Sequence, residues 1–353
     1  MKIVFALLFL MFLAFPFESY AQEALAPGKT QKGDKQLVSV PVTVSDRDGR
    51  YIPGLKKEDF TLYENGVEQK IAFFATYDEP INVALLIDTS ESTRNTLTEI
   101  KDAAEDFIEL LNPNDRCLIA TFDAQLNVLT PLTSNLQTMK ESLAKAQTAQ
   151  REGSALLGAV REVAEKSFAA VSGRKVIVVL SDGKDFGSSL TRNELLSELE
   201  ESDVSIYSIF YQTGMGFNKI AISPNGTIQE AKEEKKPKEK KPKKKKKGYS
   251  ILIPGRGDIY TQEEIKLSEK LADIQAVNVL QQMSDTTAGR FYLSDAPNLK
   301  GTFKRIAGEL RQQYRIGYYT KDAANAAVHD ISVKVGRPEA VVRARGKFRA
   351  KPL

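Results

Sequence analysis

The stretch INVALLID at residues 81–88, followed at once by TSES at residues 89–92, decides the fold of this chain. Such a nearly continuous apolar run is typical of a strand that is buried on both faces of a parallel sheet. A second buried strand, VIVVL at residues 176–180, ends directly before Ser181, Asp182 and Gly183.

Amphipathic helical patterns alternate with further strands around these two runs. The pattern predicts helices at 95–111, 136–146, 156–171, 192–201, 266–288 and 299–313. It predicts strands at 116–122 and 204–211, a short strand pair at about 126–132, and a short strand RFYLS at 290–294. Alternation of strands and helices is typical of a doubly wound, Rossmann-like α/β sheet. We therefore expect one α/β domain over residues 81–313.

Polar side chains follow both buried strands at the point where each strand ends. Asp88, Ser90 and Ser92 form the pattern D-x-S-x-S after the first strand, and Asp182 follows the second. Ligands of doubly wound sheets bind beyond the carboxyl ends of the strands, so the two carboxylates should converge at one edge. Hydroxyl and carboxylate oxygens are hard ligands, which suit Mg²⁺, Mn²⁺ or Ca²⁺.

This constellation resembles the metal-ion-dependent adhesion site of von Willebrand factor type A domains. That family has D-x-S-x-S after its first strand, a Thr in a loop between helices, and Asp-Gly after a later strand. Here Ser154 in REGSALLGAV stands at the Thr position and keeps the hydroxyl. The resemblance implies that Ser90, Ser92 and Ser154 touch the ion, while Asp88 and Asp182 act mainly through bound water.

The two ends of the chain have a β pattern. Residues 37–80 contain LVSVPVTVSD and a turn at Asn65-Gly66. The second β region, residues 314–353, is predicted from three strand-like runs: QYRIGYYT at 313–320, HDISVKVG at 329–336 and AVVRARGKF at 340–348. We expect both ends to pair into one β-sandwich that flanks the α/β domain. Two separate small β units are the alternative. The flanks resemble those of exported type A-related proteins described from acidobacteria.

A low-complexity insertion at residues 212–262 interrupts the α/β pattern. The chain has a net charge of +4, yet residues 232–247 alone contain eleven Lys against three Glu. Prolines and like charges cannot build a core, which predicts a disordered loop. This segment contains no aromatic residue for base stacking, so we expect no specific nucleic-acid binding, although electrostatic contact with the cell envelope remains an option.

The N-terminus has the pattern of an exported protein. Residues 1–21 read as a signal peptide, with Lys2, an apolar run at 3–17, and small residues Ser19 and Ala21 before the expected cut. An uncleaved membrane anchor is the alternative. Residues 22–36 read as a flexible lead-in. We expect the protein to lie in the periplasm or to be secreted.

The chain contains one cysteine, Cys117, and one histidine, His329. These counts exclude a His-based catalytic triad, a multi-His zinc site and a cysteine cluster. The expected function is therefore binding and not catalysis, with the ion bridging to a carboxylate of a partner protein or acidic polymer. A metal-assisted hydrolase and an envelope-associated structural protein are the alternatives, and the oligomeric state is undetermined.

Overall fold

The computed structural model describes residues 36–76, 79–148, 153–211, 259–320 and 327–350, together with the short strands 220–222, 228–230 and 250–252. The signal peptide predicted at 1–21, most of the lead-in, and the lysine segment at 232–247 lie outside the described residues. No helix in the described ranges combines the length and the apolarity that crossing a membrane requires.

The first four strands precede the α/β domain. They are β1 (Gln36–Ser45), β2 (Phe60–Glu64), β3 (Val67–Gln69) and β4 (Phe73–Ala75), with a 3₁₀ turn at Lys57–Asp59. Asn65 and Gly66 have φ of 50° and 78°, as a tight turn between β2 and β3 requires. The expected turn is therefore present. β1 begins at Gln36, one residue before the predicted β region.

The α/β domain alternates strands and helices as the sequence predicts. Its first part comprises β5 (Ile81–Asp88), a 3₁₀ helix (Glu91–Thr96), α1 (Leu97–Glu109), β6 (Arg116–Phe122), β7 (Leu126–Thr133), α2 (Leu136–Ala144), α3 (Leu156–Glu162), β8 (Arg174–Ser181), α4 (Arg192–Glu201) and β9 (Val204–Tyr211). The helix predicted at 156–171 is shorter, because α3 passes into a single π turn at Val163–Ser167.

The second part of this domain begins with short strands. These are β10 (Ile220–Ile222), β11 (Ile228–Glu230), β12 (Ser250–Leu252) and β13 (Ile259–Thr261), and they form two antiparallel pairs within the predicted insertion. Three longer elements follow: α5 (Gln262–Thr286), β14 (Arg290–Ser294) and α6 (Ala296–Leu310).

Six strands form the main sheet in the order β14-β9-β8-β5-β6-β7. All neighbours are parallel except β6 and β7. Alternate residues of β5 point to opposite faces: Val83 and Leu85 pack towards α1, α2 and α6, and Ala84 and Leu86 pack towards α3, α4 and α5. Burial on both faces explains the apolar run, and the predicted doubly wound fold is confirmed.

The last four strands are β15 (Tyr314–Thr320), β16 (Val328–Val335), β17 (Val341–Ala344) and β18 (Lys347–Arg349). They join the first four in two sheets, β17-β1-β15-β4 and β18-β16-β2-β3. Both sheets bury apolar side chains in one core, for example Val40 and Ile316 from the first sheet and Leu62 and Phe348 from the second. The predicted sandwich from both chain ends is confirmed.

The run AVVRARGKF differs from its prediction as one strand. It forms β17 and β18, which belong to opposite sheets. Between them, Arg345 turns its guanidinium into the α/β domain, where it donates to the carbonyl oxygens of Leu199, Glu200 and Ser202 at the end of α4 (3.0, 3.2 and 2.7 Å). A buried arginine that satisfies a helix terminus fixes the break between the strands and ties the sandwich to the sheet.

Candidate functional site

Asp88 is the centre of the candidate site. It ends β5, and its side chain is fully buried. Its Oδ1 accepts a hydrogen bond from the amide of Ser90 (2.9 Å). Its Oδ2 accepts one from the Ser181 hydroxyl (2.6 Å) and a longer one from the Ser154 hydroxyl (3.4 Å). These bonds hold the carboxylate in one orientation at the carboxyl edge of the sheet.

Ser90 and Ser92 lie in the turn that follows β5. Their hydroxyl oxygens are 3.1 Å apart. The amide and hydroxyl of Thr93 both donate to the carbonyl of Ser90 (3.0 and 2.8 Å), which fixes the turn before the 3₁₀ helix. Ser90 is buried and Ser92 is exposed, so this side of the site opens to solvent.

Ser154 comes from the loop before α3 and is buried. Its carbonyl accepts hydrogen bonds from the amides of Phe186 and Gly187 (2.8 and 3.2 Å), and the next amide, that of Ala155, donates to the carbonyl of Asp123 (2.6 Å). Loops after β6 and β8 therefore clamp the backbone that carries this hydroxyl.

Asp182 follows β8, the neighbour of β5 in the sheet. Ile87 is in register with Leu180, so the residues after both strands lie side by side. The side chain of Asp182 is buried, and its Oδ2 lies 3.6 Å from Nζ of Lys184. The second predicted carboxylate thus reaches the same edge as the first.

The electrostatics reflect two acids in one buried place. Burial first, and the charge of Asp182 second, raise the pKa of Asp88 from 3.8 to about 6, against the opposing effect of its hydrogen bonds from Ser181 and Ser90. Each of the five residues predicted from the sequence therefore lies at one strand edge, where Asp88 bonds to Ser90 and Ser154, and Ser92 contacts Ser90.

The chemistry of the donor set suits a divalent cation. Two carboxylates and three hydroxyls supply only hard oxygen ligands, as Mg²⁺, Mn²⁺ and Ca²⁺ prefer. The described residues contain no group of three or more His, Cys, Asp or Glu side chains suited to a metal. Hydroxyls would therefore have to complete the coordination of any ion held here, and the residues present fit that type of site.

Sequence reasoning missed two residues of the site. Ser181 makes the shortest bond to Asp88, and its hydroxyl also accepts from the amide of Gly183 (2.9 Å). Lys184 reaches the buried edge with its ammonium group. Their adjacency to Asp182 was the available signal.

Asp185, three residues after Asp182, is the next acid along this loop. It has a different place: its Oδ1 accepts from the Ser188 hydroxyl (2.6 Å) and from the amide of Leu157 in α3 (3.2 Å). The carboxylate thereby joins the loop after β8 to the helix that follows Ser154.

The site lies within a recognisable family segment. Residues 83–184 match the family model of the von Willebrand factor type A domain, from β5 to just beyond Asp182. The chain contains a von Willebrand factor type A domain. No curated protein matches the sequence.

Solved structures resemble the fold at low identity. The conserved hypothetical protein BatB from Bacteroides thetaiotaomicron is 17% identical, with 65% of this chain and 97% of that chain covered and a TM-score of 0.41. An aerotolerance-related membrane protein from Bacteroides fragilis is 16% identical, with 65% and 98% covered and a TM-score of 0.42. Proximal thread matrix protein 1 from the mussel byssus, solved with a zinc-occupied MIDAS motif, is 13% identical, with 76% and 50% covered and a TM-score of 0.45.

Proposed function

We propose that this type A domain protein is a metal-dependent binding module. A divalent cation, Mg²⁺ or else Mn²⁺ or Ca²⁺, would be held by Asp88, Ser90, Ser92, Ser154 and Asp182. It would bridge the protein to a carboxylate of a partner protein or an acidic polymer outside the cytoplasm. Type A domains are in general protein-interaction modules. The observation that carries the proposal is a buried carboxylate pair beside three hydroxyls, two from the turn after β5 and one from the loop before α3.

The residues divide the work of such a site. When bound, a divalent ion supplies an electrophilic centre that can accept a carboxylate from outside. Ser181 and the Ser90 amide hold Asp88 in place, so the acid is pre-oriented and little has to move. Exposed Ser92 lies on the side from which a partner group would approach.

Phe186 supports a partner-facing role for this edge. Its amide is bonded to the carbonyl of Ser154, yet its side chain is 78% exposed, the largest value among the exposed large hydrophobic side chains of the described residues. An exposed aromatic ring on a fixed loop is a common anchor in protein interfaces. We therefore assign the loop after β8 a part in partner choice, next to the single strong metal–carboxylate bond.

The proposal is tested by metal-dependent capture with a matched control. The purified protein and its Asp88→Ala variant are immobilised separately and exposed to envelope and secreted fractions with Mg²⁺, then eluted with EDTA. We expect a partner that elutes from the wild type alone, and whose binding is lost when its own acidic residue becomes an amide. Equal capture of that partner by Asp88→Ala in the presence of Mg²⁺ would rule the proposal out.

A metal-assisted hydrolase is the alternative function. Binding is favoured because the acids next to the site residues in sequence already have partners: Glu91 pairs with Arg94, and Asp185 accepts hydrogen bonds from Ser188 and Leu157. The lone His329 lies in the sandwich, 3.2 Å from Glu64. Metal-dependent turnover of phosphate or ester substrates, lost in Asp88→Ala, would establish the hydrolase instead.

Export and envelope contact are further parts of the proposal. We propose that the protein is secreted or periplasmic, and that residues 232–247 add electrostatic contact with anionic envelope polymers. Fractionation of cells that express the full chain, or a chain without residues 232–247, tests both. Retention in the cytoplasm would contradict export, and unchanged envelope association of the deletion would contradict the role of the lysines.

A further inference from the structure

Lys184 lies beside the proposed metal site, and its ammonium group is close to two acids. Its Nζ is 3.6 Å from Oδ2 of Asp182 and 3.7 Å from Oδ1 of Asp273. The side chains of these acids are only 5% and 9% exposed, whereas the lysine side chain is 31% exposed. A single ammonium group therefore lies between a proposed metal ligand after β8 and an acid on α5.

The helix that carries Asp273 is packed directly on the site loop. Gly183 has φ of 73°, and a Cβ at this position would lie 2.8 Å from the carbonyl oxygen of Ala276. Ala276 is three residues after Asp273, so both lie on one face of α5. Only a glycine permits this approach, which places Asp273 within reach of the lysine.

A divalent ion and this ammonium group would compete for Asp182. Two positive charges at such a short distance repel each other strongly when they are partly shielded from water. The lysine has a flexible four-carbon stem and can move its charge by a small rotation. Its Nζ is already about as close to the carboxylate of Asp273 as to that of Asp182. Asp273 therefore offers the ammonium group of Lys184 an alternative ion pair when a metal ion occupies Asp182.

We propose that Lys184 is a tethered competitor of the metal, and that Asp273 receives its charge when the ion binds. The lysine neutralises Asp182 in the metal-free protein and pairs with Asp273 alone in the loaded one. This inference rests on the proposed function, because it assumes that Asp182 is a metal ligand.

Two substitutions should shift the affinity in opposite directions. Lys184→Met removes the competitor, and we expect Mn²⁺ to bind about tenfold more tightly. Asp273→Asn removes the acid that receives the lysine, and we expect binding about threefold weaker. In the double variant, the effect of Asp273→Asn should disappear, because it acts through a lysine that is no longer there.

The experiment is calorimetric titration of Mn²⁺ into the full chain and these three variants. Lys175→Met is the matched control, because Lys175 pairs with Asp203 (2.8 Å) at the other end of β8 and its loss changes the net charge equally. We expect the control to bind Mn²⁺ as the wild type does. Lys184→Gln is a second neutral variant, used if thermal melting shows that Lys184→Met does not fold.

The outcomes separate this inference from the proposed function. If the wild type binds Mn²⁺ and Asp88→Ala does not, but both neutral Lys184 variants bind as the wild type does, the competitor is refuted and the metal site stands. A persistent effect of Asp273→Asn in the double variant would also refute it. Binding of Mn²⁺ by Lys184→Met but not by the wild type would support the inference. If neither the wild type nor Lys184→Met binds Mn²⁺, both proposals are overturned.

Discussion

Two buried acidic regions of the same domain are neutralised in different ways. At the junction with the sandwich, Glu309 of α6 is fully buried and accepts hydrogen bonds from the hydroxyls of Tyr51 (2.9 Å) and Tyr207 (3.0 Å). Its carboxylate also forms ion pairs with Arg290 and Arg343. At the site edge, Asp88 is equally buried, but it is bonded to hydroxyls and an amide and faces a second acid.

The difference in charge balance indicates a structural role for Glu309 and a binding role for Asp88. A buried charge is costly unless it is paired, and Glu309 has two guanidinium groups of the protein itself. Among the described residues, the cation paired with this acid pair is the partly exposed ammonium group of Lys184, which contacts Asp182 and not Asp88. The charge at the junction is therefore balanced, whereas the site edge has more negative charge than the cations of the described residues balance and is suited to an added cation.

The largest effect should come from the junction. Glu309→Gln keeps the shape and removes a fully buried charge, so the partly buried guanidinium groups of Arg290 and Arg343 lose their counter-ion. We expect the free energy of unfolding to fall by about 3–5 kcal/mol. Urea denaturation at neutral pH measures it. A loss below about 1 kcal/mol would mean that Glu309 is not the counter-charge that the comparison requires.

The same charge removal at the site edge should have a different result. Asp88→Asn relieves the repulsion from Asp182, so the metal-free variant should be as stable as the wild type or slightly more stable. With Mg²⁺ at 100 times its dissociation constant, the wild type should gain about 2.7 kcal/mol and the variant should gain nothing. Denaturation with and without Mg²⁺ tests both parts. An equal gain in the variant would show that the ion binds elsewhere.

Gly183→Ala tests the packing of α5 on the site loop. The new Cβ would meet the backbone of Ala276, and φ of 73° is strained for alanine, so we expect a loss of about 2 kcal/mol. Gly158→Ala on α3 is the control, because a Cβ at Gly158 meets no atom closer than 3.4 Å. Equal stability of Gly183→Ala and the wild type would contradict the close approach of α5.

Phe186→Ala should have the smallest effect on stability. Its ring is 78% exposed, so truncation should change the free energy of unfolding by less than about 0.5 kcal/mol. A partner captured through the metal should nevertheless bind more weakly to this variant, as surface plasmon resonance would show. A large loss of stability would mean that the ring belongs to the fold and not to an interface.

Local patterns predicted most of the fold. The apolar runs of β5 and β8 and the turn at Asn65-Gly66 require only neighbouring residues, and they were predicted correctly. The break between β17 and β18 was not, because it depends on Arg345 reaching the end of α4, far away in sequence. The π turn at Val163–Ser167 was not predicted either.

The candidate site was partly visible for the same reason. The residues after the buried strands, Asp88 and Asp182, follow from the rule for doubly wound sheets. Ser154 was placed by its resemblance to a family pattern. The roles of Lys184 and Asp185 could not be predicted, because they depend on contacts with α5 and α3 that the local sequence does not specify.

The central claim is that the buried acids at the carboxyl edge of the sheet bind a divalent cation. Calorimetric titration of Mg²⁺ and Mn²⁺ into the purified protein and its Asp88→Ala variant tests it most directly. We expect saturable binding of one ion by the wild type and none by the variant. Equal binding by both proteins would place the ion elsewhere, and no binding by either would contradict a cation site at Asp88 and Asp182.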